Sequence, residues 1–444
     1  MGQIMQQDAS FLSYPDRDRR QATMRLSVAE GMLAMVTIGL IQTFYVPYLN
    51  DLGASKLAIG IGFGSYLLAI GLIQVWAPRM LVWAGTYKKL VILGAAIQAL
   101  FLIPFAMGAR LFAHNAIWFS VLMMILASLG QGICTGAWAD WMSYIVPRRI
   151  RGTYFGTRTS LITLAQFLAS VAAGLMLDHT GDVILVFMFI WLTASVARWA
   201  TTGLLFRHYE PAEIHARPAG HISFADFIGR LHTHSYGRFV LAYSIIYFGA
   251  YFASPFFALY MLNDLKFTYF QYSCIQLIMP LTTVLSLGIW GRISDRLGNI
   301  IPLRLATVVI LLLPACWLVS GNFWYLLGLN ILAGIGWGGF QLLTFNYSIG
   351  ELPSGQRLAY ISYMNAIASI FFFAGSALGG WLGPMLPQFT AFQFHSIFLF
   401  STVLRLPAVL IFRILPVDKP AETKLTAMEK FFFEPYRLLG RVIR

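Results

Sequence analysis

Charged side chains are scarce in this sequence: only 11% of its 444 residues are Asp, Glu, Lys or Arg, whereas 58% are hydrophobic. A soluble domain carries about 25% charged residues. A chain with so few cannot cover an apolar core with polar surface, so lipid must be its solvent. The mean hydropathy of +0.69 supports this conclusion and excludes a soluble multidomain protein.

The sequence is also poor in residues that build chemical centres. Its three cysteines, Cys134, Cys274 and Cys316, lie in apolar segments without a paired metal or redox spacing, so we interpret them as small core residues. It contains no Walker-type nucleotide-binding loop, no nucleophile–base arrangement and no set of metal ligands. The sequence therefore predicts neither an enzyme nor a protein with a cofactor or metal.

The sequence consists mainly of long apolar runs. A membrane-spanning helix needs about 20 mainly apolar residues. Twelve stretches meet that requirement, at approximately 26–49, 56–78, 89–108, 116–144, 155–177, 183–206, 238–262, 268–290, 302–320, 323–349, 358–382 and 391–414. We therefore predict an all-α polytopic membrane protein with about twelve transmembrane helices.

The positive charges lie mainly on one side of this arrangement. If both termini are cytoplasmic, the outside loops hold Lys56, Arg110 and Lys266, and two arginines lie within spans. The other Lys and Arg residues then fall in cytoplasmic segments, so the positive-inside rule predicts this orientation. The net charge of +13 faces the cytoplasmic leaflet and indicates membrane lipids rather than nucleic acid as partner.

A polar stretch divides the twelve spans into two sets of six. We predict a cytoplasmic N-terminal segment, a six-helix bundle, a cytoplasmic linker, a second six-helix bundle and a cytoplasmic amphipathic tail, at 1–25, 26–206, 207–237, 238–414 and 415–444 respectively. The tail, which includes MEKFFFEPYRLLGRVIR, is expected to lie on the membrane surface. Binding of a protein partner is its alternative role.

The linker holds five of the eight histidines: His208, His215, His221, His232 and His234. No ligand spacing among them closes a metal site, so we favour a solvated linker over a metal-binding or pH-sensing segment. Its last part, ISFADFIGRLH, predicts a short amphipathic helix on the membrane surface.

The two halves repeat one another weakly. YLNDLGAS at 48–55 resembles YMLNDLKF at 260–267, and PRRIRGTYFG at 147–156 matches PSGQRLAYIS at 353–362. A shift of 206 residues also superimposes polar positions of the fourth and fifth spans on those of the tenth and eleventh. Such repeats are typical of secondary transporters, whose site lies at the interface between the repeats.

Two motifs connect the spans to a known family. GRISDRLGN, residues 291–299, follows the eighth span, and its Gly-x-x-x-Asp-Arg-x-Gly form resembles the signature loop of the major facilitator superfamily. ADWMSYIVPRRIRGTYFG, residues 139–156, is similar to the family's pattern between helices four and five. With the spans and linker, the resemblance covers essentially the whole chain. It implies two pseudo-symmetric bundles that rock about a central site.

The sequence departs from the family pattern at two places. The first-half counterpart of the signature loop, APRMLVWAGTYKK at 77–89, lacks the Asp-Arg pair, so the gate is expected to be asymmetric. Proton-coupled exporters of the family usually carry an Arg three residues before the Gln of a Gln-Gly pair. Here Ser128 stands before Gln131-Gly132, which argues against drug/proton antiport.

The resemblance implies a cytoplasmic gate in which acids pair with arginines of neighbouring helices and glycines permit tight turns and close helix approach. The candidate gate residues are Asp140, Arg151, Arg158, Gly291, Arg292, Asp295, Arg296, Gly298, Glu351 and Arg357. For Asp140 and Glu351 the alternative is an unpaired charge at the membrane interface.

Glu30 is the most informative acid, because a carboxylate inside a span costs free energy unless it is paired, protonated or near water. It is the candidate for proton coupling, and the alternative is a structural partner for a cytoplasmic Arg. Arg198 and Arg405 occupy nearly equivalent positions in the two halves. We expect them to pack or to reach toward the headgroups, with contact to an anionic substrate as the alternative.

Amides, hydroxyls and aromatics recur at helical spacing in spans that the resemblance assigns to the substrate cavity. The candidates are Gln131, Thr135, Trp138, Thr163, Gln166, Tyr243, Tyr247, Trp337, Gln341, Thr344 and Asn365. Such groups suit a polar or amphipathic solute. The same residue types also form hydrogen bonds between membrane helices, which is the alternative interpretation.

The sequence as a whole predicts a secondary active transporter that moves a small solute by alternating access. Protons are the expected coupling ion, with another ion as the alternative, and the bacterial cytoplasmic (inner) membrane is the expected location. The alternative function is a non-transporting relative that acts as a membrane sensor or as an assembly subunit of a larger complex.

Overall fold

A computed structural model describes residues 14–211, 224–231, 235–351 and 357–416, and almost all of these residues are helical. In lipid, an apolar segment satisfies its backbone polar groups most simply within a helix. The first part contains α1 (Tyr14–Asp51), α2 (Lys56–Ile73), α3 (Ala77–Ala84), α4 (Tyr87–Leu111), α5 (Ala116–Ile145), α6 (Arg151–Asp178) and α7 (Val183–Leu205). The second contains α8 (Phe224–Leu231), α9 (Ser235–Leu259), α10 (Tyr269–Leu297), α11 (Ile300–Cys316), α12 (Phe323–Glu351), α13 (Arg357–Leu382) and α14 (Phe394–Ile414).

The all-α membrane architecture is confirmed. Eleven segments of the described chain are long and apolar enough to cross a membrane, and the shorter apolar helix α11 lies where the ninth span was predicted. Several bounds differ from the prediction, the start of the first helix most of all. Helix α1 begins at Tyr14, well before the predicted start at 26, because the Arg, Gln and Ala of that stretch favour helix. Helix α11 ends at Cys316, two residues after Pro314.

The two halves pack their helices in the same pairs. In the first half α4 packs on α5, α1 on α6 and α7, and α2 on α5. In the second half α11 packs on α12, α9 on α13 and α14, and α10 on α12, which are the equivalent pairs. Between the halves, α2 packs on α13 and α6 on α10. The repeat seen in the sequence is therefore a repeat of packing.

The turns after α1 and after the π-helical extension of α9, Tyr260–Asp264, show the repeat residue by residue. Ser55 caps α2 and Thr268 caps α10 with their hydroxyl oxygens. In both turns the residue two positions before the cap has a left-handed backbone, with φ of 76° at Gly53 and 54° at Lys266. Lys266 is the non-glycine residue of the described chain with positive φ.

The short helix predicted in the linker forms as α8, but it packs on protein. Phe227 is fully buried among the rings of Tyr236, Tyr360 and Tyr363. The helix therefore holds the first turns of α9 and α13 together. The rest of the predicted linker beyond residue 211, including His215, His221, His232 and His234, and the predicted tail beyond residue 416 lie outside the described residues.

We predict that Gly53→Ala destabilises the protein by about 1–2 kcal/mol, because a Cβ is unfavourable at positive φ. Nothing lies within 4 Å of the position that this Cβ would occupy, so steric clash does not contribute. Denaturation in mixed detergent micelles measures the change.

Gly203→Ala is the matched control, since Gly203 is helical and equally free of neighbours. It should leave stability unchanged or raise it. Equal losses in both variants would contradict the assignment of the cost to the backbone.

Candidate functional site: a buried charge cluster and an aromatic wall

Glu30 is buried in α1 and pairs with a buried arginine. Arg158 Nη2 lies 3.4 Å from Glu30 Oε2, and the two side chains are 10% and 5% exposed. The partner stands on α6, which packs on α1. An ion pair removed from solvent on both sides needs further hydrogen bonds to offset its desolvation. Arg158 was predicted at the gate, whereas the structure places it beside Glu30.

Three neighbours fix the guanidinium of Arg158. Its Nε donates to the carbonyl of Ser27, at 3.1 Å. Its Cζ lies 4.0 Å from the ring centroid of Trp138, a cation–π arrangement. A Cβ on Gly31 would lie 2.3 Å from Arg158 Nη2, so only glycine lets the arginine approach α1 this closely. The sequence Glu30-Gly31 thus provides both the charge and the space for its partner.

A second arginine lies near the same carboxylate. Arg198 is 3% exposed, and its Nη2 donates to Cys134 Sγ at 3.2 Å. It lies within electrostatic range of Glu30. Its equivalent, Arg405, is equally buried and donates to the carbonyl of Ile310, at 2.6 Å. Of the two expected roles, packing describes these arginines, because both guanidinium groups are bonded inside the helix bundle.

The residues predicted for the cytoplasmic gate are only partly assembled. Arg151 donates to the carbonyls of Ser143 and Val146 and so caps the end of α5. The described residues show no ion pair for Asp140, which is half-buried. Gly298 closes α10 with φ of 75°, as the motif predicted.

Other gate candidates lie nearer the surface. Arg292 and Asp295 are exposed, Arg296 is half-buried, and nothing approaches the Cβ position of Gly291. The side chains of Glu351 and Arg357 lie outside the described residues. The gate therefore stays a prediction.

Several predicted cavity residues are engaged in helix packing. Gln131 accepts a hydrogen bond from Gln98 of α4, at 3.2 Å. Thr344 is buried and donates to the carbonyl of Phe340 in its own helix. Gln166 is buried against Gly39 of α1. For these residues, contacts within and between helices account for the polar side chain without a role in solute binding.

The remaining cavity candidates differ in exposure. Thr163 is buried, Asn365 is half-buried, and Thr135 and Gln341 are exposed on α5 and α12. The hydroxyl of Thr135 donates to the carbonyl of Gln131.

Aromatic rings of three helices form a continuous surface, which we call the aromatic wall. Tyr247 lies at its centre, with ring centroids 4.8 Å from Tyr243, 5.3 Å from Trp337 and 4.8 Å from Phe372. Tyr251 continues it, 4.4 Å from Phe372. Tyr243, Tyr247 and Trp337 were predicted. Phe372 was not, since a phenylalanine inside an apolar run carries no signal of a special role.

A network between the halves was not predicted from the sequence. Asp178, at the end of α6, accepts hydrogen bonds from the backbone N–H groups of Tyr269 and Phe270, at 2.7 and 2.9 Å. The hydroxyl of Tyr269 donates to Asp51, and Asn50 and Asn263 exchange amide hydrogen bonds at 3.2 and 2.9 Å. We call Asn50, Asp51, Asp178, Asn263 and Tyr269 the interhalf latch, together with the backbone N–H of Phe270. The repeated segments at 48–55 and 260–267 could have indicated the contact between Asn50 and Asn263, because equivalent residues of two repeats meet on a two-fold axis.

His208 is the linker histidine within the described chain, and it is not solvated. It is 1% exposed, its Nδ1 contacts the carbonyl of Leu204, and its ring lies 5.7 Å from that of Trp141. Burial lowers the pKa of His208 below its usual value. Among the described residues no group of His, Cys, Asp and Glu is arranged to hold a metal ion.

Solved structures of membrane transporters share this fold over nearly their whole length. A mutant of the nucleoside transporter NupG gives a TM-score of 0.71 at 14% identity, with 88% of this chain and 99% of that chain covered. The D-xylose-proton symporter gives 0.67 at 13% identity, with 90% and 99% covered. A bacterial homologue of the iron transporter ferroportin, in an inward-facing state, gives 0.66 at 17% identity, with 88% and 98% covered.

The described chain thus has the fold of these solved membrane transporters. The Major Facilitator Superfamily model matches residues 239–443, the second six-helix half and the segment after it. The second half of the chain therefore matches the Major Facilitator Superfamily by sequence, as the motif at 291–299 indicated, and the described chain shares the fold of solved transporters. A search of the curated proteins finds no match to the chain.

We predict that Glu30→Gln and Arg158→Met each lower the free energy of unfolding by about 3–5 kcal/mol, because each leaves a buried charge without its partner. The double variant should lose clearly less than the sum of the two. Denaturation of the four proteins in mixed micelles gives the coupling energy.

The control pair is Arg110 and Asp182, the other ion pair of the described chain, whose side chains are about half exposed. Its coupling energy should be about 0–1 kcal/mol. Additive losses at Glu30 and Arg158 would show that they do not act as a pair.

Proposed function

We propose that this protein is a secondary active transporter that moves a small polar or amphipathic solute across the membrane by alternating access. The observation that carries the proposal is the clustering of hydrogen bonds between the halves at one end of the bundle. The described interhalf bonds include the latch, the bond from Lys56 to Gln393 and the bond from Ser376 to the Gly60 carbonyl. A latch confined to one end permits rocking of two rigid halves.

The orientation follows from the distribution of basic residues. The positive-inside rule places the latch on the outer side of the membrane. In this orientation the latch would close the outer side, and the central site would open toward the cytoplasm. The bacterial cytoplasmic membrane is the proposed location.

The solute would bind between the charge cluster of the first half and the aromatic wall of the second. Rings of Tyr and Trp combine an apolar face with a polar edge, which suits an amphipathic solute. The solved relatives include a nucleoside transporter and a xylose–proton symporter, which makes nucleosides and pentoses reasonable first probes.

Protons are the proposed coupling ion, and Glu30 is the proposed proton site. A carboxylate in a membrane interior changes its protonation when the charge or water around it changes. Rocking of the halves would alter the access of water to the pair of Glu30 and Arg158 and so couple proton movement to solute movement.

The latch gives the first test. Asp178→Ala removes both acceptors for the backbone N–H groups of α10, so the outward-open state should gain population. In a variant without native cysteines, Thr135→Cys serves as reporter, since Thr135 is exposed on α5. Labelling of this thiol from the outside by a membrane-impermeant maleimide should rise several-fold when Asp178→Ala is added.

Asp182→Ala is the matched control, because Asp182 lies at the same end but pairs with Arg110 of its own half. It should leave the labelling unchanged. Unchanged labelling in Asp178→Ala as well would contradict the role of the latch in alternating access.

The coupling role of Glu30 gives the second test. Glu30→Gln cannot release a proton, so uphill accumulation of the solute in proteoliposomes under a proton gradient should be lost while exchange survives. Nucleosides, pentoses, amino acids and organic anions are screened first by thermal shift. Retained uphill transport would exclude Glu30. Well-folded protein that binds no solute and copurifies with a stoichiometric partner would favour the sensor or assembly function.

A further inference from the structure

The cluster around Glu30 carries more positive than negative charge. Glu30 is one carboxylate, while Arg158 and Arg198 are two guanidinium groups, and all three residues are less than 9% exposed. Arginine stays protonated in proteins. With Glu30 ionised the cluster has a net charge of about +1, and a membrane interior disfavours such an excess.

The same cluster has more hydrogen-bond donors than acceptors. Arg198 Nε is a buried nitrogen without a hydrogen-bond partner, and Arg198 Nη2 has only the thiol sulfur of Cys134, a weak acceptor. Buried donors normally find acceptors. An anionic group bound here would supply both the missing acceptor and the missing negative charge.

The cluster is open on one side. Trp138, which stacks on Arg158, is only half-buried, and Thr135 lies exposed one turn earlier on α5. A Cβ on Gly136 would meet no atom within 4 Å, so open space adjoins this stretch of α5. A solute can therefore approach the face of the cluster formed by Trp138 and Arg158.

We propose that the transported solute is an organic anion, whose charged group binds beside Arg158 and Trp138 and enters together with a proton on Glu30. This inference rests on the proposed transport function and names its substrate class. An apolar or aromatic body on the anion would lie against the aromatic wall of the other half.

Charge balance explains the coupling of proton and anion. Protonation of Glu30 without an anion leaves two buried guanidinium groups and no carboxylate, which is the least favourable state. A bound anion replaces the carboxylate as partner of Arg158. Proton and anion therefore bind more tightly together than separately, and this coupling is reciprocal.

Several charged or titratable groups face Glu30 and could contribute to a pH dependence. They are Arg158 and Tyr154 on α6, Arg198 on α7 and Cys134 on α5. His208 lies near Arg158, and burial lowers the pKa of its imidazole below the usual value. Its own protonation must therefore be separated from that of Glu30.

The experiment measures binding to the purified full-length protein by thermal shift, at mildly acidic and mildly alkaline pH. The probes are benzoate, nicotinate, pyruvate and succinate, each with its primary amide, beside adenosine and xylose as neutral solutes. We expect a carboxylate to bind at least about tenfold more tightly than its amide. Its affinity should be about tenfold higher at acidic pH. Addition of that carboxylate in weakly buffered solution should cause proton uptake.

The variants separate the groups. Glu30→Gln should bind the carboxylate at alkaline pH as tightly as the native protein does at acidic pH, without proton uptake. Arg158→Gln should weaken the carboxylate about tenfold or more. Arg158→Lys keeps the charge and serves if Arg158→Gln does not fold. His208→Asn should leave both the pH dependence and the proton uptake unchanged, and Arg405→Gln is the control for loss of a buried arginine.

Each outcome decides the proposal. Saturable binding of adenosine, xylose or an amide, with no carboxylate bound more tightly, would overturn the anion assignment and leave the transport function standing. Carboxylate binding without proton uptake would overturn the coupling. Folded protein that binds neither class would count against the proposed transport function itself, and against this inference with it.

Discussion

A charged pair inside the membrane is the constraint on which the first half of this protein depends. Glu30 and Arg158 can be buried only because α1 and α6 approach closely at Gly31 and because Ser27 and Trp138 complete the surroundings of the guanidinium. The second half has no equivalent pair among the described residues. Its buried Arg405 donates through Nη1 to a backbone carbonyl and through Nη2 to a serine hydroxyl, and its Nε has no hydrogen-bond partner among the described residues. The halves therefore share one packing design but differ in chemistry.

This difference fits a division of labour between the halves. The first half supplies charge and the second half supplies aromatic surface, with Tyr247 touching rings on two other helices. At the opposite end from the basic loops, Asp178 caps α10 and Asn50 meets Asn263. Breakage of these bonds would let this end of the two halves separate while the interior of each half stays intact.

The sequence predicted the twelve helices, the two halves and the family, because hydropathy and charge asymmetry are properties of whole segments. It also identified Glu30 as unusual. It did not predict which arginine would pair with Glu30. The motif assigned Arg158 to the gate, whereas its actual partner depends on how α6 is rotated against α1. Likewise, the burial of Arg198 and Arg405 and the capping of α10 by Asp178 depend on contacts between helices far apart in the chain, which no periodicity reports.

The central claim is that Glu30 changes its protonation when the transporter binds its solute. Infrared difference spectroscopy of the reconstituted protein, with and without solute, tests it directly through the carbonyl stretch of a protonated carboxyl group. The account predicts a difference band in that region that disappears in Glu30→Gln. A difference spectrum without a carboxyl band, or with one that persists in Glu30→Gln, would contradict it.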